Sequence, residues 1–426
     1  MEFGLIGGKL GHSFSKDIHE QLGAPAYELK ELLPEEVGDF LCAREFRGIN
    51  VTIPYKETVI PFLDEVSERA QAIGAVNTIV NDGGRLLGDN TDFGGMVALL
   101  RKIGIEVAGK KVLILGSGGT SKTAQAVAKS LGAVSVNRVS RTKRDDCITY
   151  EEAYTEHSDA DVIINTTPVG MYPNGDESPI DPAAFPKLSG VADAIYNPLR
   201  TRLVLAAQER GIPAAGGLYM LVAQAVLAAA KFRAVCDEGD YSGIGSGSEE
   251  EITAATERIF RTISGEKQSV VLTGMPGVGK TTVGKLVAAR LGREFVDCDE
   301  EIVRRSGCDI PTIFASQGEK AFRDLEAEVI RDLSAQGGKV IATGGGAILR
   351  PENEANLRSN GCIFFIDRPI ESIAVAPGRP LSTDREALEA RYRERYPIYC
   401  ATCDVSVAGE ATAEEIAERI LSNVLS

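Results

Sequence analysis

The residues best suited to chemistry fall around two unlike glycine turns. The string GMPGVGKT, Gly274 to Thr281, follows the apolar run Ser269–Thr273 and precedes a helical stretch, Thr282–Leu291. Strand, glycine loop and helix in that order build a phosphate cradle. Backbone N–H groups around Gly277, Val278 and Gly279 converge on an anion, Lys280 adds a point charge, and Thr281 offers a hydroxyl to Mg²⁺ with Thr282 beside it. A second turn, LGSGGTS at Leu115–Ser121, opens another helix after the apolar strand Lys111–Leu115. Gly116, Ser117, Gly118, Gly119 and Thr120 there form a dinucleotide-type turn, with pyrophosphate expected at the helix N-terminus. NAD sites place an acid about 20 residues downstream to take the ribose 2′-hydroxyl. Here that region reads VSRTKR, Val139 to Arg144, with no acid before Asp145. Arg141 and Arg144, with Thr142 between them, suit a 2′-phosphate, so NADPH is the expected cofactor. Two unlike nucleotide sites on one chain suggest two reactions.

The elements that position these turns follow from length and pattern. A chain of 426 residues predicts roughly three globular units at about 150 residues each. Apolar content of 43% and charged content of 25% are those of a soluble globular protein. No apolar run reaches the ~18 residues that span a bilayer; the longest, Leu218–Ala230, carries Gln224. The start, MEFGLIGGKLGHS, lacks a basic n-region and a long apolar h-region, so no secretory signal is expected. A net charge of −15 argues against nucleic acid, whose phosphates require basic surface. Cys400 and Cys403 make one CxxC with no second half-site, and the plain reading of the cysteines is reduced thiols in the cytoplasm.

Along the first half, Phe3–Ile6, Gly48–Ile53, Thr78–Val80, Lys111–Leu115, Ser135–Val139, Val162–Asn165 and Val191–Ala194 read as strands. Helical segments separate the later ones, and Gly94–Lys102 reads as a helix joining two α/β units. The alternation predicts parallel α/β sheets. The stretch Cys236–Glu251, rich in Gly, Ser and acid, reads as a flexible connector. Beyond it Val270–Thr273, Phe295–Cys298, Val340–Thr343 and Cys362–Ile366 read as strands of one further α/β domain.

Several separated strings of the first half belong together. They are GHSFS with Ser13 and Ser15, NVTIPYK with Thr52 and Lys56, GAVNT with Asn77, and DNTD with Asp92. NTTPVGM with Thr166, DAIYNP with Tyr196 and GLYMLVAQA with Gln224 follow. In this order they resemble shikimate dehydrogenase over about residues 1–234. The resemblance implies a substrate domain (1–92), a Rossmann NADP domain (93–235) whose last helix packs back on the first, and reduction of 3-dehydroshikimate to shikimate. It makes Lys56 and Asp92 the catalytic pair. Hydride arriving at a ketone carbon builds negative charge on oxygen, and an ammonium stabilises that charge or gives the proton. It makes Ser13, Ser15, Thr52, Asn77, Tyr196 and Gln224 the substrate contacts. Such hydroxyls and amides suit a ligand with several hydroxyls and one carboxylate. Thr123 departs from the family, where a small Ala or Gly is usual.

The second half carries a second series. FVDCDEEI holds Asp297 and Asp299, two apart and so on one face of a strand. GEKAFRDLE holds Arg323, TGGGAI holds Gly344, Gly345 and Gly346, GRPL holds Arg379, and RERYPIY holds Arg395. With the phosphate loop these resemble shikimate kinase over roughly residues 257–426, after a linker at 236–256. The fold implied is a P-loop α/β domain with a mobile lid, using ATP and Mg²⁺. Asp299 then faces the acceptor hydroxyl, and Arg323 and Arg395 grip the shikimate carboxylate as guanidinium forks. The glycines let backbone approach the ring. Lys280 and Arg379 neutralise the moving phosphoryl, and Thr281 ligates Mg²⁺ with Asp297 acting through water. The lid stretch Ile370–Gly378 is short and lacks the arginine that the family commonly carries near the adenine. Expected is a bifunctional enzyme running consecutive steps of the shikimate pathway. The competing readings are a dehydrogenase with a weakened kinase and a non-catalytic ligand sensor.

Overall fold

The computed structural model describes residues 1–11, 14–144, 146–237, 239–373 and 385–424. The chain forms two compact units, Met1–Asn197 with Leu203–Thr262, and Pro198–Arg202 with Ile263–Ser426.

The first unit contains two sheets of six strands each. The first sheet comprises β1 (Phe3–Gly7), β2 (Tyr27–Glu31), β3 (Gly48–Val51), β4 (Glu65–Val66), β5 (Thr78–Asp82) and β6 (Arg85–Asp89). Its order is β2-β1-β3-β5-β6-β4. The pairing differs from the expected all-parallel form, because β5 runs antiparallel to both β3 and β6. For the β5–β6 pair the reason is local. Asn81-Asp82-Gly83-Gly84 turns with φ of 57° and 94° at the two glycines, and Asp82 pairs with Arg85 across it. Two central residues at positive φ give the tight hairpin turn that matches strand twist.

The second sheet is parallel throughout, as the alternating pattern predicts. It comprises β7 (Lys111–Leu115), β8 (Ser135–Ser140), β9 (Ile148–Thr149), β10 (Val162–Asn165), β11 (Gly190–Asp193) and β12 (Ala214–Ala215). The order β12-β11-β10-β7-β8-β9 reverses direction between β7 and β10, which opens a crevice at their carboxyl ends. β10 is buried at every position, as a strand covered on both faces must be.

Helices Asp92–Lys102 and Leu218–Phe232 tie the two sheets together. They approach closely because two glycines face the partner. A Cβ at Gly94 would lie 2.4 Å from Leu227 Cδ1, and one at Gly95 would lie 2.7 Å from the Met220 carbonyl and 3.0 Å from Gln224 Cβ. The helical stretch Leu218–Val235 is long and apolar enough to cross a membrane by length and composition alone, yet it is mostly buried in the protein. Its Phe232 ring lies against Gly48 of β3. Gly95→Val is expected to force the two helices apart and destabilise the first unit by about 1–3 kcal/mol, the usual cost of overpacking. A urea melt of the full chain checks this, and an unchanged midpoint would show that the helices are free to give way.

The sequence predicts a flexible linker over 236–256, and the structure differs over much of it. Tyr241 is fully buried. It stands edge-on to Phe3 with centroids 5.5 Å apart, and its N–H donates to the Gly23 carbonyl. Arg47 Nε donates to the Val235 carbonyl at 2.7 Å, Ile244 is also buried, and a helix runs from Glu249 to Lys267. A few apolar side chains decide the matter here. Burying each large one contributes about 1.5–3 kcal/mol, enough to hold a polar segment down.

His19 is buried between aromatic rings, stacked on Tyr27 at 4.0 Å. Burial pushes its pKa down to about 3, against a smaller raising influence from Asn50. Unfolding restores an ordinary imidazole with pKa near 6.5, so below that pH the unfolded chain binds a proton that the native chain refuses. Stability is therefore full above about pH 6.5 and falls as pH drops toward 3, approaching about 1.4 kcal/mol per pH unit. Urea titrations at pH 7 and pH 5 check this, with His19→Gln expected to flatten the difference. An equal pH response in that variant would contradict it.

The second unit holds a five-stranded parallel sheet. Its strands are β13 (Ser269–Thr273), β14 (Phe295–Asp297), β15 (Val340–Ala342), β16 (Gly361–Asp367) and β17 (Val405–Ala408), in the order β14-β15-β13-β16-β17. Val270, Val271 and Leu272 of β13 anchor a core that includes Phe364 and Phe365 of β16. The phosphate-loop candidate thus leaves the central strand, with β15 and β16 beside it.

Candidate active sites

In the first unit, β3 runs into Thr52 and Lys56, and β6 runs through Asn90 to the helix beginning at Asp92. These two routes meet. Lys56 Nζ donates to Asp92 Oδ2 at 2.6 Å, with the side chains 15% and 10% exposed. That burial is shallow enough for a ligand to reach the pair.

Behind it lies a buried amide and hydroxyl chain. Asn77 Oδ1 accepts the Thr91 N–H at 2.7 Å, and Asn77 Nδ2 donates to Thr91 Oγ1 at 3.1 Å and to Gln224 Oε1 at 3.3 Å. Gln224 in turn donates to the Leu221 carbonyl at 2.8 Å. The close glycine contact of the two helices is what brings Gln224 to Asn77. Asn50 extends the chain, accepting from the Tyr27 hydroxyl at 2.8 Å. Ser15 is buried at the start of the Ser15–Gln21 helix. Tyr196 is half-buried against Phe14 with ring centroids 5.3 Å apart, and burial raises its pKa. The Thr52 N–H donates to the Ile6 carbonyl at 3.0 Å. Ser13 lies outside the described residues. Sequence reading passed over Thr91, the hub of this network, although it stands inside the DNTD string.

The dinucleotide turn sits at the crevice between β7 and β10. Gly116 has φ of 119°, and a Cβ there would lie 2.6 Å from Thr166 Oγ1. Thr166 closes the other side by donating to the Leu115 carbonyl at 2.6 Å. A Cβ at Gly118 or Gly119 would meet nothing within 4 Å, and the helix from Gly119 has no side-chain cap. Open space over uncapped N–H groups fits a pyrophosphate. At the end of β8, Arg141, Thr142 and Arg144 are exposed. Neither arginine has an acid partner among the described residues, which fits a 2′-phosphate. The Thr142 N–H donates to Ser140 Oγ at 3.3 Å. Ser117 and Thr120 are both half-buried on the same turn.

In the second unit one cavity of about 410 Å³ gathers residues spread over more than a hundred positions. Gly277, Gly279, Lys280, Thr281 and Thr282 line one side; Asp297, Asp299, Arg323, Gly344, Gly345, Gly346 and Arg395 are among the other lining residues. Val278 is buried beneath the loop. Lys280 Nζ donates to the Gly274 carbonyl at 2.8 Å and to the Met275 carbonyl at 3.1 Å. Thr281 Oγ1 donates to Asp297 Oδ2 at 2.7 Å. These hard oxygens fit Mg²⁺, which binds through one or two protein groups and substrate phosphates. Among the described residues, no group of three or more His, Cys, Asp or Glu stands ready to hold a metal unaided.

Asp297 and Asp299 do not share a strand face. β14 ends at Asp297, whose carboxylate accepts the Asp299 N–H at 3.0 Å and so caps the Cys298–Ser306 helix. An aspartate at a strand end is an N-cap as readily as a strand residue, and this one turns Asp299 into the cavity.

The three glycines admit different neighbours. A Cβ at Gly344 would meet Glu326 Oε1 at 2.8 Å and Asp299 Oδ1 at 2.9 Å; at Gly345, Pro276 Cδ at 2.8 Å; at Gly346, Arg323 Nη2 at 2.6 Å. Arg395 Nη1 donates to the Gly345 carbonyl at 3.1 Å. Arg323 Nη1 holds Glu326 Oε2 at 2.8 Å, with Glu326 only 1% exposed. Burial raises the Glu326 pKa, against the pull of Arg323. Sequence reading missed Glu326, and the signal was its i,i+3 spacing from Arg323 on one helix face. Arg391 also lines the cavity. Arg379 and most of the lid stretch lie outside the described residues.

Comparison with known proteins follows the same division. A family model for the shikimate dehydrogenase substrate binding domain matches residues 5–79, and one for shikimate kinase matches residues 276–425. The chain is 39% identical over 252 residues to a shikimate dehydrogenase (NADP(+)) of Geobacillus kaustophilus, covering 54% of this chain and 91% of that one. A chorismate mutase/shikimate 5-dehydrogenase fusion protein of Clostridium acetobutylicum is 35% identical, with a TM-score of 0.54 over 62% of this chain and 98% of that one. A shikimate 5-dehydrogenase of Thermus thermophilus, solved with NADP(H) and shikimate, is 30% identical, with a TM-score of 0.51 over 61% of this chain and 99% of that one.

Proposed function

We infer two activities from one premise: the chain belongs to the shikimate dehydrogenase family, and a shikimate kinase domain follows in the same polypeptide. The enzyme reduces 3-dehydroshikimate to shikimate with NADPH, then phosphorylates the 3-hydroxyl of shikimate with ATP. The observation that carries this reading is the assembly, within each unit, of chemistry scattered along the sequence. Lys56 meets Asp92 at 2.6 Å in one, and a phosphate loop shares a cavity with Asp299 and two arginines in the other.

In the first reaction NADPH supplies the hydride. Asp92 orients Lys56, and the Lys56 ammonium stabilises the charge growing on the ketone oxygen and passes it a proton. Asn77 and Gln224, held by Thr91, meet the ring hydroxyls; Ser13, Ser15, Thr52 and Tyr196 complete the substrate side. Arg141, Thr142 and Arg144 hold the 2′-phosphate, beside the Gly116–Thr120 turn and Thr166.

In the second reaction Asp299 orients the acceptor hydroxyl and takes its proton, while Arg323 and Arg395 fix the carboxylate as forks. Glu326 holds Arg323 in that pose. Lys280, joined by Arg379, neutralises the phosphoryl in transit. Thr281, with Asp297 through water, would hold Mg²⁺, which would supply positive charge against the transferring phosphates.

We place the chain in the cytoplasm, where eight free cysteines stay reduced. Purified full-length protein given shikimate with NADP⁺, and separately shikimate with ATP, tests the reading. Absorbance from NADPH and release of ADP are expected in the respective assays. Failure of both would overturn it.

A further inference from the structure

One ion pair joins the substrate-side loop after β3 to the cofactor-side helix of the first unit. Lys122 Nζ meets Glu57 Oε1 at 2.7 Å, with side chains 35% and 55% exposed. Both positions are telling. Glu57 directly follows Lys56, whose carbonyl is fixed by the Val76 N–H at 2.8 Å. Lys122 lies in the first turn of the Gly119–Ser130 helix, which has no acid in that turn. A cation there is opposed by the helix dipole, so it gains from a carboxylate brought from elsewhere. Glu57 is that carboxylate, supplied by the loop that carries the catalytic lysine.

We propose that Glu57 and Lys122 form a strap that holds the Lys56 loop over the dinucleotide turn, making both of them positioning residues for hydride transfer. The proposal rests on the dehydrogenase reading above. The ammonium must sit beside the ketone oxygen while the cofactor lies along the Gly116–Thr120 turn, so the spacing of those two elements bears on the rate. The strap fixes that spacing without touching the reacting atoms. An exposed pair is modest in strength, so each loss is expected to be about two- to five-fold.

The test uses the full chain as Glu57→Gln, Lys122→Met, both together, and the exchanged pair Glu57→Lys with Lys122→Glu. kcat and KM for 3-dehydroshikimate are measured at saturating NADPH, and the NADPH KM at saturating 3-dehydroshikimate, with and without about 0.5 M added salt. Each single variant is expected to lower kcat by the stated factor, the double to fall no further, the exchanged pair to recover, and salt to erase the differences. A role in stability alone would leave kcat per folded enzyme unchanged in every variant. Additive losses would overturn the strap. So would an unchanged Glu57→Gln beside a Lys122→Met that raises only the NADPH KM, which would make Lys122 a pyrophosphate contact. A wild-type chain inert toward dehydroshikimate would sink the dehydrogenase reading itself. ATP turnover in each preparation reports that the variant is folded in the second unit.

Discussion

Lys56→Ala is expected to lower NADPH-dependent reduction of 3-dehydroshikimate by about 10²- to 10⁴-fold, the usual contribution of a positioned proton donor, and to leave ATP-dependent phosphorylation of shikimate unchanged. The ammonium is the cation held against Asp92 at 2.6 Å, and alanine offers neither charge nor proton to the ketone oxygen. The substrate KM is expected to move less than kcat, because charge develops mainly after the ground state. Steady-state assays of both reactions on one preparation decide it. A loss below about tenfold would remove Lys56 from the chemistry. A parallel loss of kinase activity would show that the two sites are not independent.

Lys280→Ala is expected to do the reverse. Phosphoryl transfer depends on positioning and charge neutralisation more than on covalent chemistry, and losing one preorganised donor of this kind typically costs about 10²- to 10³-fold in kcat. Lys280 now bonds the carbonyls of Gly274 and Met275, so its ammonium is already held at the loop that would receive the phosphates. Reduction of dehydroshikimate is expected at the wild-type rate, since every residue of that site lies in the other unit. Retained kinase activity would move the phosphate cradle elsewhere.

Much of this architecture was legible in the chain, and the misses have physical causes. β7 and β10 match the sequence expectation residue for residue because both are continuous apolar runs bounded by turn residues. β2, with the sequence YELKE, escaped notice because it is an edge strand exposed over four of its five positions, where charge is tolerated. β6 is signalled only by the Gly83-Gly84 hairpin turn before it, which also makes the β5–β6 pair antiparallel. The supposed linker at 236–256 failed for a different reason. Its Gly, Ser and acid content is real, yet Tyr241 and Ile244 are buried and outweigh it. At the candidate sites, motif spacing points to Lys56, Asp92 and the phosphate loop. It could not find Thr91 or Glu326, whose importance lies in three-dimensional hydrogen bonding to residues far along the chain or one helical turn away.

One polypeptide catalyses both reactions, and shikimate is the product of the first and the acceptor of the second. The most direct measurement mixes full-length protein with 3-dehydroshikimate, NADPH, ATP and Mg²⁺ and follows NADPH loss and ADP formation together. Expected is a lag in ADP, followed by one ADP for each NADPH consumed, with no ADP when NADPH is withheld. NADPH oxidation with no ADP at any time, or ADP formed without NADPH, would contradict it.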